Sequence, residues 1–324
     1  MKDSTASLRQ DNFLIFAAMS RKLIAHILLF LVNLFYGANF IVSKLVMPAF
    51  ILPQAFILIR VVTTTVLFFI VGFFWGNEKV AWRDVPLLIA CSLMGVVINQ
   101  EMFFAGLNIT TPINGALIMI MTPILVMVIS FFMGHETLTW QKITGMALGT
   151  AGAVIIISGR GLNFSSKTAL GDFYILLNAS SYAIYLVIVR PLMKKYHPMT
   201  IIKWVFLLGV PWVVVMGQGQ FRRIDWPGFT TGVWLAVAFV VFCTTFCAYL
   251  FNVIALREVH SSIVGAYIYL QPILATGISI AVGKDAITTQ KVISAALIFS
   301  GVYMVSFAGR KNKENDPDVV VLEE

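Results

Sequence analysis

Arg60 and Glu101 are ionisable residues that lie inside long apolar stretches of this 324-residue sequence. An ionised side chain inside a bilayer costs roughly 2.5–3.5 kcal/mol on insertion scales, so each is a candidate functional group. Each stands about six residues from the end of its stretch, and at about 1.5 Å per residue both lie near 9 Å below the same surface. The sequence therefore predicts that they form one polar focus, in direct contact or through water.

Two interpretations of this pair stay open. In the first, Glu101 takes up a proton in one state of the protein and couples solute movement to a proton gradient, with Arg60 tuning its proton affinity. In the second, the two residues form a static ion pair that holds their helices together. A nearby guanidinium favours the ionised carboxylate, which supports the static pair and works against proton uptake.

Amide, hydroxyl and aromatic side chains form a second group, which lies at mid-depth in several apolar stretches. Buried amides in hydrocarbon need partners, so hydrogen bonding between helices is the alternative for each residue taken singly. As a set, they predict a cavity that favours a neutral, zwitterionic or amphipathic solute over a polyphosphate. The predicted cavity residues are Asn33, Tyr36, Asn39, Asn99, Gln100, Met119, Thr122, Asn178, Tyr182, Tyr185, Thr245, Tyr249, Tyr267 and Gln271.

The elements that must position these residues are predicted to be transmembrane helices. The chain is 59% hydrophobic and 12% charged, with a mean hydropathy of +0.89, whereas soluble domains contain about 25% charged residues. Apolar runs of about 20 residues, enough to cross a bilayer, recur along the sequence. Ten spans are predicted near 23–43, 54–75, 85–107, 113–133, 142–159, 170–190, 199–217, 231–251, 263–282 and 290–309.

The second half of the sequence repeats the first. Alignment of Leu107–Ser158 with Leu256–Phe307 at a constant shift of 149 makes roughly 13 of 52 positions identical. With five spans in each copy, the two copies must have opposite orientations in the bilayer, which is an architecture of secondary transporters. If the N-terminus is cytoplasmic, 15 Lys and Arg residues lie inside and 7 outside. This excess predicts that both termini are cytoplasmic.

The predicted organisation has five parts. They are an N-terminal tail (1–22), a first five-helix repeat (23–160), a linker (161–169), a second five-helix repeat (170–310) and a disordered cytoplasmic tail (311–324). Met19 resembles a natural start, so residues 1–18 are interpreted as an extension.

The sequence resembles the EamA-type members of the drug/metabolite transporter superfamily. The residues that carry the resemblance are Thr111–Ala116, Thr122–Leu125, Gly134–Leu138 and Lys142–Gly152, with looser repeats from Ser261 to Gly301. The resemblance implies a ten-helix transporter of the cytoplasmic (inner) membrane that works by alternating access, and it favours export. It does not imply a substrate, because the family carries amino acids, sugars, nucleotides and drugs on one scaffold.

Two prolines and a set of glycines are interpreted structurally. Pro123 and Pro272 lie mid-span at matching positions, where a proline kinks a helix. Gating elements and static kinks are both open interpretations. Gly145 and Gly149 predict close helix packing, and Gly277 is given the same interpretation.

The sequence thus predicts a secondary active transporter, an exporter of a small organic metabolite or drug such as an amino-acid-like solute. An uncoupled facilitator or exchanger is the second hypothesis, and a non-transporting membrane receptor or enzyme is the third. No HExxH or P-loop pattern occurs, so no catalytic residue, metal or cofactor is predicted. The expected partners are the solute, protons as coupling ion and membrane lipid, with a homodimer left open. The net charge of +8 reflects topology and lipid attraction, so no nucleic-acid partner is expected.

Overall fold

The computed structural model describes residues 2–74, 78–110, 112–158, 169–281 and 287–313. Regular structure in these residues is helical throughout. We number the long helical segments α1 to α10 in chain order.

The first half contains α1 to α5. Their bounds are α1 Lys2–Val46, α2 Pro53–Phe73, α3 Val85–Ser92 continuing through a π-helical turn Leu93–Val97 into Ile98–Ile109, α4 Pro112–Met119 and Met121–Phe132, and α5 Trp140–Ser158.

The second half contains α6 to α10. Their bounds are α6 Ala169–Ile188 and Arg190–Met193, α7 Pro198–Phe221, α8 Thr231–Val241 continuing through a π-helical turn Phe242–Cys247 into Ala248–Glu258, α9 Ser261–Ala266, a 3₁₀ turn Tyr267–Tyr269 and Leu270–Ala281, and α10 Thr289–Lys313. Short 3₁₀ turns Trp82–Asp84 and Trp226–Gly228 precede α3 and α8.

Local sequence accounts for several helix starts. Pro53 and Pro198 occupy the first helical position of α2 and α7. A proline there costs nothing, because the first amide has no partner in the helix. At the start of α8, the Thr230 hydroxyl accepts a hydrogen bond from the Val233 N–H, which satisfies one of the unpaired donors.

Nine segments of the described chain are long and apolar enough to cross a membrane. The predicted span 142–159 coincides with α5, a 19-residue helix that is not among the nine. The prediction of an all-helical protein with multiple membrane-spanning segments is confirmed, while the count of ten spans stays a prediction. The nine segments are Arg21–Val46, Pro53–Phe73, Trp82–Ile109, Asn114–Phe132, Ala169–Met193, Pro198–Phe221, Thr231–Glu258, Ser261–Ile278 and Thr289–Phe307.

Irregular turns recur at the spacing of the sequence repeat. The π-helical turns of α3 and α8 begin at Leu93 and Phe242, which are 149 residues apart. The interruption of α4 at Ile120 and the 3₁₀ turn that ends at Tyr269 in α9 have the same separation. Helix contacts recur in the same way when each helix is replaced by its counterpart in the other half, α1 by α6, α2 by α7 and so on. The contact α1–α8 then corresponds to α3–α6, and α1–α9 corresponds to α4–α6. The contacts α2–α7, α4–α9 and α5–α10 each correspond to themselves.

The boundaries of the predicted tails and linker coincide only in part with the helices. Helix α1 begins at Lys2 and so includes most of the predicted tail 1–22. Helix α10 runs to Lys313, which is three residues into the predicted tail 311–324. A helix extends easily into a polar flank, because each added residue contributes one further hydrogen bond. Residues 161–168 of the linker and residues 314–324 lie outside the described residues, and Ala169 begins α6.

Glycines bring α5 and α10 into backbone contact. A Cβ on Gly145 would lie 2.8 Å from the Gly301 carbonyl oxygen, and a Cβ on Gly301 would lie 2.5 Å from the Gly145 oxygen. A Cβ on Gly149 would collide with the ring of Tyr269. The predicted close packing at Gly145 and Gly149 is therefore confirmed. At the exposed Gly277 it is wrong, because nothing in the described chain comes within 4 Å of the Cβ position.

Candidate substrate cavity

A cavity lies between the two halves, and its space, together with the part that is open to solvent, amounts to about 570 Å³. Both halves contribute to its wall, which is amide-rich and aromatic. Among the described residues that line it, Arg60 is the only Asp, Glu, Lys or Arg. They are Tyr36, Asn39 and Phe40 from α1, Arg60 from α2, Asn99, Gln100, Phe103 and Phe104 from α3, Met119 from α4, Asn178 and Tyr182 from α6, Tyr249 from α8, and Ile268 and Gln271 from α9.

The structure brings most of the predicted cavity residues together on this wall. Those that line it are Tyr36, Asn39, Asn99, Gln100, Met119, Asn178, Tyr182, Tyr249 and Gln271, and Arg60 joins them. Their contact with a solute stays a prediction.

Sequence reasoning missed four lining residues, all of them apolar. Phe40 lies one helical turn after Tyr36, and Phe103 one turn after Asn99, so both share a face with a predicted residue. Phe104 follows Gln100 in the same way, and Ile268 is the repeat partner of Met119. Helical spacing and the repeat are the signals that would have found them.

Asn33 supports the wall from behind. Its Nδ2 donates to the Leu29 carbonyl oxygen at 2.7 Å, and its Oδ1 accepts a hydrogen bond from Gln271 Nε2 at 2.9 Å. Asn33 therefore orients the amide of Gln271, which does line the cavity.

The other predicted residues that do not line the cavity occupy helix interfaces. Thr122 is fully buried, and its hydroxyl has no hydrogen-bond partner in the described chain. The ring of Tyr185 packs on Gly95. The Tyr267 hydroxyl oxygen lies 2.8 Å from His26 Nδ1. Tyr267 lines a separate groove between α1, α9 and α10. Residues three positions apart differ by about 60° around a helix, which lets Tyr182 face the cavity while Tyr185 faces α3.

Arg60 is held at the cavity by one hydrogen bond and one aromatic ring. The residue is only 4% exposed. Its Nε donates to Thr245 Oγ1 at 3.0 Å, and its guanidinium carbon lies 4.5 Å from the centroid of the Phe104 ring. Its Nη1 is buried and has no hydrogen-bond partner. Thr245, a predicted cavity residue, thus acts behind the wall as the acceptor that orients Arg60.

Glu101 does not pair with Arg60. No nitrogen of Arg60 lies within 4.0 Å of a carboxylate oxygen of Glu101, so the expectation of a direct ion pair is wrong. Successive residues differ by about 100° around a helix. Gln100 therefore faces the cavity, while Glu101 is buried outside its wall with Oε1 unpartnered. Their equal depth in the bilayer stays a prediction, and depth alone does not fix the direction of a side chain.

Hydrogen bonds from the second half complete the wall. The Tyr249 hydroxyl donates to the Gly95 carbonyl oxygen at 2.8 Å, within the π-helical turn of α3. Asn178 Nδ2 donates to the Asn99 carbonyl oxygen at 2.7 Å. These side chains reach backbone acceptors across the boundary between the halves, so they connect the two repeats at mid-depth.

The two mid-span prolines act on the cavity wall. Proline has no N–H, so it leaves the carbonyl four residues earlier without its helical donor. For Pro123 that carbonyl belongs to Met119, and for Pro272 it belongs to Ile268. Both residues line the cavity. The prolines therefore weaken α4 and α9 where each contributes to the wall, but their gating role stays a prediction.

A buried ion cluster joins the halves at the end predicted to be cytoplasmic. Glu136 Oε2 lies 2.7 Å from Lys142 Nζ and accepts a hydrogen bond from the Ser262 hydroxyl, while Oε1 accepts the Ser262 N–H at 3.1 Å. Arg190 Nη1 lies 3.7 Å from Oε1. Burial tends to raise the pKa of the Glu136 carboxyl, but the charges of Lys142 and His260 and these hydrogen bonds outweigh it and lower the pKa.

A second cross-half cluster lies at the same end. Asp84, at the start of α3, accepts hydrogen bonds from Lys195 Nζ at 2.8 Å and from the Tyr196 hydroxyl at 2.7 Å. The hydrogen bond that Lys195 donates to Asp84 raises the pKa of Lys195. Within the described residues, no group of three His, Cys, Asp or Glu side chains is placed to hold a metal ion.

Comparison with known proteins shows relatives along most of the chain. An uncharacterized transporter of Bacillus subtilis (strain 168), YyaM, is 26% identical over 90% of this chain and 96% of its own length. An aromatic amino acid exporter of Ancylobacter novellus, YddG, is 23% identical over 64% of this chain and 72% of its own length. One crystal structure superposes with a TM-score of 0.74 at 18% identity, covering 91% of this chain and 99% of that one, which shows a shared fold.

The sequence model of the EamA-like transporter family matches the chain twice, at residues 23–158 and 169–307. These two matches cover each half of the structure, including every helix that contributes to the cavity wall. The chain is therefore a multi-pass membrane protein that belongs to the EamA-like transporter family, within the drug/metabolite transporter superfamily.

Proposed function

We propose that this protein is a secondary active transporter that exports a small organic, amino-acid-like solute by alternating access. The cavity carries the proposal, because its wall is shared between the halves: Tyr36, Arg60 and Asn99 come from the first, and Tyr182 and Tyr249 from the second. If the halves have opposite orientations, a movement of one against the other would open the cavity to each side in turn.

Contacts at both ends of the molecule support this mechanism. At the predicted cytoplasmic end, Glu136 and Ser262 join the halves. At the opposite end, Thr110 donates to Asp172, and Gln220 Oε1 accepts the backbone N–H of Gln54. Opening of either side would break one set of polar contacts and keep the other. Hydrogen bonds suit this exchange, because water replaces them on the side that opens.

The name of one relative supports export as the direction of transport, and the composition of the cavity wall supports an amino-acid-like solute. YddG of Ancylobacter novellus is named an exporter of aromatic amino acids, and we extend export to this chain. Aromatic rings and amides dominate the cavity wall. Such a wall suits an organic solute of amino-acid size with an apolar body.

Glu101 is the candidate for proton coupling. It is buried in α3 beside the cavity residue Gln100, and its Oε1 has no partner. A buried carboxylate with an unpartnered oxygen is a suitable proton acceptor, because a poorly compensated charge is costly in a membrane. An uncoupled exchanger is the second candidate, and the lack of a carboxylate on the part of the wall that the structure describes favours it.

Reconstitution in proteoliposomes tests the proposal. We expect counterflow of radiolabelled aromatic amino acids, and accumulation against a gradient when a pH difference is imposed. Glu101→Gln should retain counterflow and lose accumulation. Glu258→Gln, which also removes a carboxylate from a helix, is the matched control and should retain both. Counterflow by the wild type that ignores the pH difference would establish the uncoupled exchanger, and lack of counterflow by any solute of this class would refute transport.

A further inference from the structure

The cavity contains a cation whose hydrogen-bonding capacity is largely unused. A guanidinium has five N–H donors in a planar fork. In Arg60, Nε is bound to Thr245, whereas Nη1 is buried without a partner. A buried charged donor without a partner is costly unless a ligand supplies the missing acceptor. No other described residue takes that role in this state.

The position of the guanidinium is fixed by the fold. Thr245 lies in the π-helical turn of α8, and its hydroxyl donates to the Val240 carbonyl oxygen at 2.8 Å. Because the hydroxyl proton is used there, an oxygen lone pair of Thr245 is left to accept from Arg60 Nε. The guanidinium carbon of Arg60 lies over the ring of Phe104, and it is 5.9 Å from the centroid of the Phe56 ring. Arg60 is therefore preorganised and not a mobile surface charge.

The rest of the wall suits an apolar body, and no carboxylate is among its described residues. Phe103 contacts both Phe40 and Phe104 edge to face, with ring centroids 5.6 and 5.1 Å apart. Met119 and Ile268 add apolar surface. No Asp or Glu is among the described lining residues, so an ammonium group would meet neutral acceptors such as Gln100 Oε1 and no opposite full charge.

From this geometry we propose that the solute is an aromatic carboxylate, which Arg60 binds through its carboxylate group and which needs no amino group. A guanidinium binds a carboxylate through two parallel hydrogen bonds, a geometry that an amide or an amine cannot reproduce. The phenyl ring would lie among Phe40, Phe103 and Met119. This inference rests on the proposed transport function and narrows its substrate class.

Three ligands of equal length test the inference on the purified full-length protein. 3-Phenylpropionate, 3-phenylpropanamide and 3-phenylpropylamine differ only in their polar group. Binding is measured by calorimetry in nanodiscs at pH 7.5, with counterflow in proteoliposomes as a separate readout. We expect the propionate to bind at least tenfold more tightly than the amide and the amine. L-phenylalanine should bind no more tightly than the propionate.

Two substitutions at Arg60 assign the preference to its guanidinium. Arg60→Gln should weaken propionate binding at least tenfold and leave amide binding unchanged. Arg60→Lys keeps the charge without the fork, and it should recover only part of the affinity. Arg223→Gln removes an exposed guanidinium and serves as the control. Should Arg60→Gln fail to fold, the ligand series on the wild type and the lysine variant still decide the question.

The binding and transport readouts separate the two proposals. Equal binding of amine or amide, no binding of any ligand, or an Arg60→Gln variant that retains the carboxylate preference would overturn the inference. Preferential binding of the propionate without counterflow would uphold the inference and refute transport. Counterflow of the amine in place of the propionate would support transport and refute the inferred preference for a carboxylate.

Discussion

Glu136 Oε2 lies 2.7 Å from Lys142 Nζ, and the two side chains are only 3% and 1% exposed. The other oxygen of the same carboxylate accepts a hydrogen bond from the N–H of Ser262, which lies near the start of α9 in the opposite half. A single carboxylate therefore neutralises a buried lysine and connects the halves. Removal of one member of such a pair leaves a buried charge, whereas removal of both charges is often neutral.

A double-mutant cycle measures this pair. Glu136→Gln and Lys142→Met should each destabilise the protein by about 3 kcal/mol, because each leaves the other charge buried and unpaired. The double variant should lose clearly less than the sum of the two. Thermal unfolding in detergent gives the stabilities. Additive losses would show that the two residues do not interact, contrary to the geometry.

The ion cluster also predicts a pH dependence. The pKa of Glu136 lies below its ordinary value, so the carboxylate stabilises the fold fully above the unfolded-state pKa of about 4.3. That stabilisation is lost as the pH falls through the lower folded-state pKa. The wild type should therefore lose thermal stability below about pH 4.3, and Glu136→Gln should lose less. Asp225→Asn, which removes an exposed carboxylate, should retain the wild-type profile; the same profile in Glu136→Gln would contradict the assignment.

The α5–α10 interface predicts a difference between two glycines. Gly301→Ala should destabilise the protein by about 1–3 kcal/mol, because its methyl group would collide with the backbone of Gly145 and Gly149. Gly277→Ala is the matched control, since its methyl group meets nothing within 4 Å. Thermal unfolding of both variants provides the measurement. Equal stability of the two would mean that α5 and α10 do not approach as closely as described.

Tyr249→Phe isolates the hydrogen bond between the halves at mid-depth. The Gly95 carbonyl oxygen would lose its donor within the π-helical turn, at a cost of about 1 kcal/mol. We expect lower thermal stability and weaker solute counterflow, since Tyr249 also lines the cavity. Tyr303→Phe removes an exposed hydroxyl from α10 and should change neither. A Tyr249→Phe variant with wild-type stability would show that this bond is not needed.

The sequence predicts the helices well, because hydrophobic length and the repeat determine them. It also places Tyr36 and Gln271 on one wall, since a polar residue in a membrane helix faces the protein interior. It fails at the direct pairing of Arg60 with Glu101, because the rotation of each side chain about its helix axis cannot be read from its depth. Side-chain direction depends on irregular turns such as Leu93–Val97, which hydropathy does not reveal.

The π-helical turns of α3 and α8 determine in which direction the later side chains of each helix point around its axis. Each turn holds one residue more than an α-helical turn, which offsets later side chains by about 100°. Deletion of one residue within Leu93–Val97 should thus keep α3 intact and turn Asn99 and Gln100 away from the cavity. The corresponding turn in α8 begins 149 residues later, so deletion of one residue there should in the same way turn Tyr249 away from the cavity.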